Sequence, residues 1–405
     1  MSETVSTLPT LIVRPGEADR LVAGHPWLYS GSIMRFTSPA TDGALVQVKD
    51  HRQRFLGVGF YNSKSKIAVR LLAPERVEID ARFFEQRIRA ALAVREKHMP
   101  GATSFRVVNA ESDFLSGLIV DKYEDVLVVQ TSSLGMDQRL PLIVEVLQKV
   151  LKPRAIFERN DVASRKLEGL PERRGLLAGD LKGSLAISLN GVKYDVDLLG
   201  GQKTGMYLDQ QTNYQAVASL VPKGGQVLDC FSFLGGFALH AARADAAHVH
   251  GLDQSEDVVA AAMANAKSNG LAEKCSFETA NVFDWLKAKT TAGPNEKLVP
   301  HFDTIVLDPP SFTRNRESVP NALRGYKEIH VRALKLIKPG GVLATFTCSH
   351  HVDARTFLDV ILSAAYDTRR ILRRVAIYAQ SPDHPVIPMI PETEYLKGYA
   401  FEVVR

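Results

Sequence analysis

From about residue 186 onward the chain alternates short apolar runs with helix-length stretches, and few folds accept that rhythm. "QVLDCF" leads into "LGGFALHAARADA", "HVHGLDQ" into "SEDVVAAAMANAKSNG", and "CSFETAN" into "VFDWLKAK". "FDTIVLDPPSF" and "GGVLATFTCS" follow, joined by a helical stretch around "GYKEIHVRALKLIKPG". Strands linked by crossover helices predict an α/β fold with a doubly wound, mostly parallel sheet. Ser255 is the expected N-cap of the second helix and Gly270 its stop. In such sheets ligands bind beyond the carboxyl ends of the strands, near the point where the strand order reverses. Asp229, Asp253, Asn281, Asp308 and Cys348 all fall at those ends in this reading.

The N-terminal half has a different texture. To about residue 78, "ALVQVKD", "RFLGVGFYN" and "KIAVRLLA" read as short strands of a small, strongly bent β-barrel. "ARFFEQRIRAALAVREKH" places Phe83, Ile88, Ala91 and Leu92 at helical spacing. "FRVVNAE", "GLIVDKYEDVLVVQTS", "RLPLIVEVLQKVL" and "AIFERN" then suggest a small α+β domain over 79–185. It ends in the charged, glycine-rich connector "LEGLPERRGLLAGDLKG". The third domain is expected over 186–405.

Charge and cysteine content narrow the function classes. The net charge is +5, yet residues 51–100 carry eleven Lys or Arg against five Asp or Glu. That clustering suits a phosphate-binding surface, since each neutralised phosphate releases counterions, or else a solvated charged face. Trp27, Tyr29, Phe60 and Tyr61 either stack on RNA or belong to the core of the first module. Cys230, Cys275 and Cys348 form no CxxC pair and no zinc-ligand spacing, so no metal site is expected. No basic-then-apolar leader and no bilayer-length apolar run is seen, which predicts a reduced, cytoplasmic protein without a membrane partner.

"DCFSFLGGF" sets Asp229, Phe231, Ser232, Gly235 and Gly236 around the turn from the first strand into its helix, where glycines let backbone approach a ligand. The spacing is not G-x-G-x-x-G, so the dinucleotide fingerprint fails. Asp253, followed by Gln254, is placed to take a pair of ribose hydroxyls, and Asn281, followed by Val282, to meet an adenine edge. A ribose-bearing ligand without a pyrophosphate cradle points to S-adenosylmethionine rather than NAD. "GQKTGMYLDQ" adds Lys203, Thr204, Gly205, Tyr207, Asp209 and Gln210, either as a loop closing over the amino-acid end of that cofactor or as a cap on the sheet.

"GQKTGMYLDQ", "DCFSFLGGFALHAA", "LDPPSF", "TCSHH" and "DHPVIPMIPETEYLKGYAFEVV", in this order, resemble bacterial 23S rRNA (cytosine-5)-methyltransferases. "HPWLYSGSI" and "RFLGVGFYNSKSKIAVRLL" resemble the PUA part of that family. The resemblance implies a class I methyltransferase (Rossmann-like) sheet, preceded by a PUA-type β-barrel and a small α+β middle domain. "GYAFEVV" would supply an antiparallel strand. It implies S-adenosylmethionine as cofactor, lined by Gly235, Gly236, Asp253 and Asn281, and large-subunit ribosomal RNA as partner. Asp308 would face the target base, and it is counted with the cofactor set as well. Cys348 would be the nucleophile. Ser311 stands where many of the wider RNA 5-methylcytosine enzymes carry a second cysteine; the single-cysteine arrangement is what this branch resembles, and it leaves the proton acceptor unassigned, as are the roles of His350, His351 and His384. A homodimer is left open.

The chemistry explains why these residue types are needed. Carbon 5 of cytosine is too weak a nucleophile to take a methyl group from a sulfonium unaided; a thiolate adding at carbon 6 makes it enamine-like. Asp308 would hydrogen-bond the base at nitrogen 3 or the amino group. The base must be unstacked to be reached. Two rival readings remain: an adenine-N6-type amino methyltransferase, which needs no cysteine, and a non-catalytic RNA-binding assembly factor.

Overall fold

The computed structural model describes residues 8–198, 205–291, 298–313 and 315–405. The chain forms two compact units. The first comprises Met1–Ile187, Val196–Leu208 and Pro382–Thr393; the second comprises Ser188–Asp195, Asp209–Ser381 and Glu394–Arg405.

In the first unit a six-stranded sheet runs in the spatial order Trp27–Tyr29, Ile67–Ala73, Phe55–Tyr61, Leu45–Lys49, Thr10–Val13, Ile33–Phe36. Leu11, Val13, Leu28, Val46, Val48 and Val69 fill its interior. The expected helix spans Ala81–His98, opened by Asp80, whose carboxylate accepts from Phe83 N at 3.0 Å. Such a cap is worth about 1 kcal/mol. Phe83, Phe84, Ile88 and Ala91 join one apolar cluster with Val107, Val120 and Val129 of a five-stranded sheet and with Val58, Phe60 and Leu72 of the first sheet. The first two sequence modules thus share a core.

The expected connector is partly a strand. Arg173–Gly179 pairs antiparallel with Ala155–Asn160 at the edge of the five-stranded sheet. Its glycines and arginines suggested a linker, but Arg173 is held by Asp137 and Glu158 at 2.9 and 3.3 Å. Local charge concealed a pairing made by residues distant in sequence.

The basic surplus of residues 51–100 is partly spent inside this unit. Arg95 is buried against Asp113, with Nη2 to Oδ2 at 2.7 Å, and Arg70 pairs with Glu111 and Glu168. Trp27 donates to Glu111 at 3.0 Å and Phe60 is buried, while Tyr29 stays exposed beneath the Arg20 guanidinium. Asp383 and His384 also lie here, both buried. Asp383 accepts from Arg106 N at 2.8 Å and sits 3.0 Å from His384 Nδ1. Burial pushes the Asp383 carboxyl up, but His384, the Arg106 N–H and the Arg106 charge outweigh it and hold the pKa below the usual carboxylate value.

The second unit is built on a seven-stranded sheet whose strands we number within it: β1 (Gln226–Cys230), β2 (His248–Asp253), β3 (Cys275–Thr279), β4 (Phe302–Leu307), β5 (Ile337–Thr347), β6 (Leu372–Tyr378) and β7 (Lys397–Val403). The order is β3-β2-β1-β4-β5-β7-β6. β1 to β5 are parallel, and β7 runs antiparallel to both neighbours. The crossovers are α1 (Gly236–Arg243), α2 (Glu256–Ser268), α3 (Val282–Thr290) and α4 (Val319–Leu336); α5 (Ala354–Thr368) follows β5. "GYAFEVV" lies in β7 as expected, whereas the edge strand β6 went unread, because its run of arginines masks a strand pattern. Cys230 pairs with Leu252 and Leu307, and Leu307 with Thr345, so the carboxyl ends of β2, β1, β4 and β5 share one edge.

Candidate active site

The order reverses between β1 and β4, and the expected residues stand at that edge. Asp229 is the penultimate residue of β1 and Asp253 the last of β2. Asp308 directly follows β4, and Cys348 directly follows β5. A cavity of about 350 Å³ lined by Leu298, Pro300, Lys335, Arg369, Arg370 and Arg405 lies instead among residues before β4 and β5 and beside the start of β6. Ligands in open α/β sheets bind at the other edge.

The turn after β1 is conformationally unusual. Phe231 and Phe233 have φ of 66° and 49°, in the left-handed region that side chains other than glycine rarely adopt. Gly235 follows at 86° as the N-cap of α1. Backbone held this way clusters at binding sites. Gly236 also serves the protein's own packing: a Cβ there would come within 2.5 Å of the Tyr214 ring. Asp253 fastens the turn, its carboxylate accepting from Phe233 N and Ser255 N, both at 3.1 Å. Ser255 is the N-cap residue of α2, but its side chain makes no capping bond, and Asp253 satisfies its backbone N–H instead.

Asp229 is buried, with Oδ2 accepting from Ala238 N at 2.9 Å. Burial, and then repulsion from Asp308 and Asp253, push its pKa well above the usual carboxylate value. Its Oδ1 and the Ser232 Oγ are both buried without a hydrogen-bond partner among the described residues. The same holds for Asp209 Oδ1 and Gln210 Nε2. Asp209 Oδ2 accepts from Tyr395 OH at 2.7 Å.

The remaining expected residues divide. Asn281 caps α3, its Oδ1 accepting from Phe283 N and Asp284 N at 2.9 and 3.3 Å. Val282 is buried in the apolar core behind the edge, whereas Gln254 is exposed. Gly205, at φ 138°, and the half-buried Tyr207 belong to the first unit, Asp209 and Gln210 to the second. Lys203 and Thr204 lie outside the described residues.

Sequence reading missed what holds Cys348. Tyr326, buried on α4, places its hydroxyl 2.8 Å from Thr347 Oγ1 and 2.9 Å from Ser349 Oγ. Ser349 Oγ lies 3.0 Å from Ser311 Oγ, tying the "DPPS" turn to the "TCS" turn. One helical turn beyond Tyr326, His330 Nε2 meets Thr345 Oγ1 at 2.9 Å. Thr345, Thr347 and Ser349 therefore turn toward α4. Phe346 turns the other way, against Phe237 of α1. The other thiols are disarmed: burial raises Cys230 well above the usual thiol range and Cys275 to about 11.

His330, buried, is pushed down to about 4 by that burial, as is His240 of α1. Above pH ~6.5 both are neutral in folded and unfolded chains. Below it the unfolded chain takes up protons first, so stability falls until the folded histidines titrate near pH 4. The expected loss is up to about 3 kcal/mol for each histidine. Urea unfolding at stepped pH measures it, and His330→Gln should flatten the slope; equal slopes in both proteins would refute the assignment.

A family model described as S-adenosylmethionine-dependent methyltransferase matches residues 171–387, and one described as PUA-like domain matches residues 11–74. Ribosomal RNA large subunit methyltransferase I of Klebsiella pneumoniae subsp. pneumoniae is 38% identical over 410 residues, covering 99% of this chain and 100% of that protein. The protein of the same name from Shewanella denitrificans is 39% identical over 397 residues, covering 96% and 98%. Among solved structures, a methyltransferase complexed with SAH aligns with TM-score 0.82 at 22% identity, covering 97% of this chain and 100% of that one. A SAM-dependent methyltransferase from Streptococcus mutans gives 0.80 at 21%, with the same coverage, and both show a shared fold. Among the described residues no helix is long and apolar enough to cross a membrane, and no group of three or more His, Cys, Asp or Glu is arranged to hold a metal ion. Similarity across the whole length, joined to a class I sheet behind a PUA-like domain, makes this chain a member of the S-adenosylmethionine-dependent methyltransferase family that includes the large subunit methyltransferase I proteins.

Proposed function

We propose that the protein methylates carbon 5 of a cytosine in large-subunit ribosomal RNA, through a covalent bond between Cys348 and carbon 6. The observation that carries this reading is the pair Asp308 and Cys348, directly after the adjacent parallel strands β4 and β5. The relatives' names supply the RNA class.

S-adenosylmethionine, when bound, supplies a methyl group on a sulfonium. The edge residues suit such a ligand, because Asp229 Oδ1, Ser232 Oγ, Asp209 Oδ1 and Gln210 Nε2 are buried polar atoms in want of partners. A group left so would cost about 1–3 kcal/mol, which an ammonium or hydroxyl can recover. Asp253, held by two backbone N–H groups, is aimed for a ribose diol. Asn281 spends its oxygen on the cap, leaving its Nδ2 as the donor for an adenine edge.

The Cys348 thiolate adds to carbon 6 of the flipped base, and the displaced π electrons make carbon 5 nucleophilic while charge moves toward nitrogen 3. Asp308, carrying a proton, donates to the base there and stabilises that charge. After the methyl group is bonded, the carbon-5 proton leaves to base, its electron pair restores the ring double bond, and the thiolate departs. The N-terminal module, over 1–78, binds the RNA; the middle domain spans 79–185, and the domain over 186–405 performs the transfer. The setting is the cytoplasm.

The test is methyl transfer from labelled S-adenosylmethionine to protein-depleted large-subunit rRNA, with nucleoside analysis of the product. Label in 5-methylcytidine is expected. Label in a methylated adenosine would overturn the reading.

A further inference from the structure

Thr347 and Lys397 are cross-strand partners in the antiparallel pairing of β5 with β7. Lys397 then reaches along β5, its Nζ donating to Ser349 O at 3.2 Å. A lysine side chain that starts opposite residue 347 and ends on the carbonyl of residue 349 must pass Cys348. Its ammonium is half-buried, where charge is screened less than in open water.

We propose that Lys397 is the cation that holds Cys348 in its anionic form; this rests on the nucleophile reading above. An ordinary thiol has a pKa of about 8.5 and offers only a few per cent thiolate near neutral pH. A covalent mechanism is limited by that fraction, and a fixed positive charge raises it. Tyr326 and Ser349 position Cys348 through neutral hydroxyls and contribute no charge, so the cation must come from another element. β7 supplies it.

Several ionisable groups surround the pair. Glu394 and Asp353 face Lys397, as does Cys348 itself, while Tyr326 faces Cys348 from α4. His350 follows Cys348 in the chain, with its ring 5.8 Å from that of Tyr395. Asp353 is occupied in capping α5, accepting from Thr356 N at 2.7 Å. Burial lowers the Lys397 pKa, and the charges of Glu394, Cys348 and Asp353 oppose that effect. The coupling is reciprocal: whatever the thiolate does to favour the ammonium, the ammonium does to favour the thiolate.

The experiment reads the thiol rather than turnover. The full chain, without RNA or cofactor, is alkylated with iodoacetamide across a pH series, and modification of Cys348 is followed by peptide mass spectrometry. Lys397→Met should move the midpoint up by about one pH unit and slow alkylation near neutral pH by roughly tenfold. Lys397→Arg, which keeps the charge, should stay within about twofold of the native rate. A structural role for the Ser349 hydrogen bond would change stability but not the midpoint. The native lysine provides a second measurement should Lys397→Met fold poorly: Cys348→Ala should make Lys397 acylate faster with acetic anhydride, because the neutral amine gains. Coincident midpoints in Lys397→Met and native protein, or unchanged Lys397 acylation in Cys348→Ala, overturn the proposal. Methyl transfer that survives Cys348→Ala would defeat the nucleophile reading instead, which separates the two failures.

Discussion

Cys348→Ala should abolish formation of 5-methylcytidine, with a loss on the order of 10³-fold or more, while cofactor binding stays within a few-fold of native. The loss is large because, among the described residues, no other thiol is armed to add to carbon 6. Cys230 is buried with its pKa raised well above the thiol range, and Cys275 is pushed up to about 11. Ser311 occupies the turn after the two prolines, and an alcohol is far weaker than a thiol as a nucleophile near neutral pH. Cys348→Ser should fail equally.

The fold should not suffer, since Cys348 is half-exposed and its neighbours Thr347 and Ser349 keep their bonds to Tyr326. Surface changes of this kind lie within about 0.5 kcal/mol. RNA carrying 5-fluorocytidine offers a second readout: fluorine cannot leave as the proton does, so native protein should be trapped as a covalent complex that Cys348→Ala cannot form. Full activity in the alanine variant would favour the amino-methyltransferase reading, which needs no cysteine. Absence of transfer by the native protein, with RNA binding intact, would favour the assembly-factor reading.

The parts of this site that could be read in the sequence are those fixed by one strand and the turn after it. A parallel sheet delivers every strand end to one edge, so Asp229, Asp253, Asp308 and Cys348 could be ranked as candidates from periodicity alone. Asn281 was expected to meet an adenine edge, and its oxygen caps α3. Tyr326 was hidden because "GYKEIH" reads as an ordinary amphipathic helix. Its role depends on which helix face meets β5. Lys397 depends on the β5–β7 register, and Asp383 on a return of the chain to the first unit. Both need long-range pairing. The glycines of "LGGF" were read as clearance for a ligand, and Gly236 also leaves room for the protein's own Tyr214. Arg173–Gly179 was read as linker because its strand partner lies outside its own stretch.

Asp308 provides the second large effect, and its direction separates two roles that one carboxylate at this position could play. It follows β4, with its backbone N–H reaching toward Cys230 O at 3.5 Å, so it stands at the reversal of strand order between the β1 and β5 ends. If it meets the base, its hydrogen bond strengthens as charge accumulates on the ring during thiolate addition, and its loss falls on the chemical step. Asp308→Ala should then lower kcat by about 10²–10³-fold, with the Kd for S-adenosylmethionine changed less than about threefold. Asp308→Asn should recover part of the rate, since an amide still donates to nitrogen 3 but cannot take or give up a proton. If Asp308 serves the cofactor instead, the Kd rises and single-turnover kcat at saturating cofactor is spared. Isothermal titration of S-adenosylmethionine and single-turnover transfer, on the same two variants, decide between them.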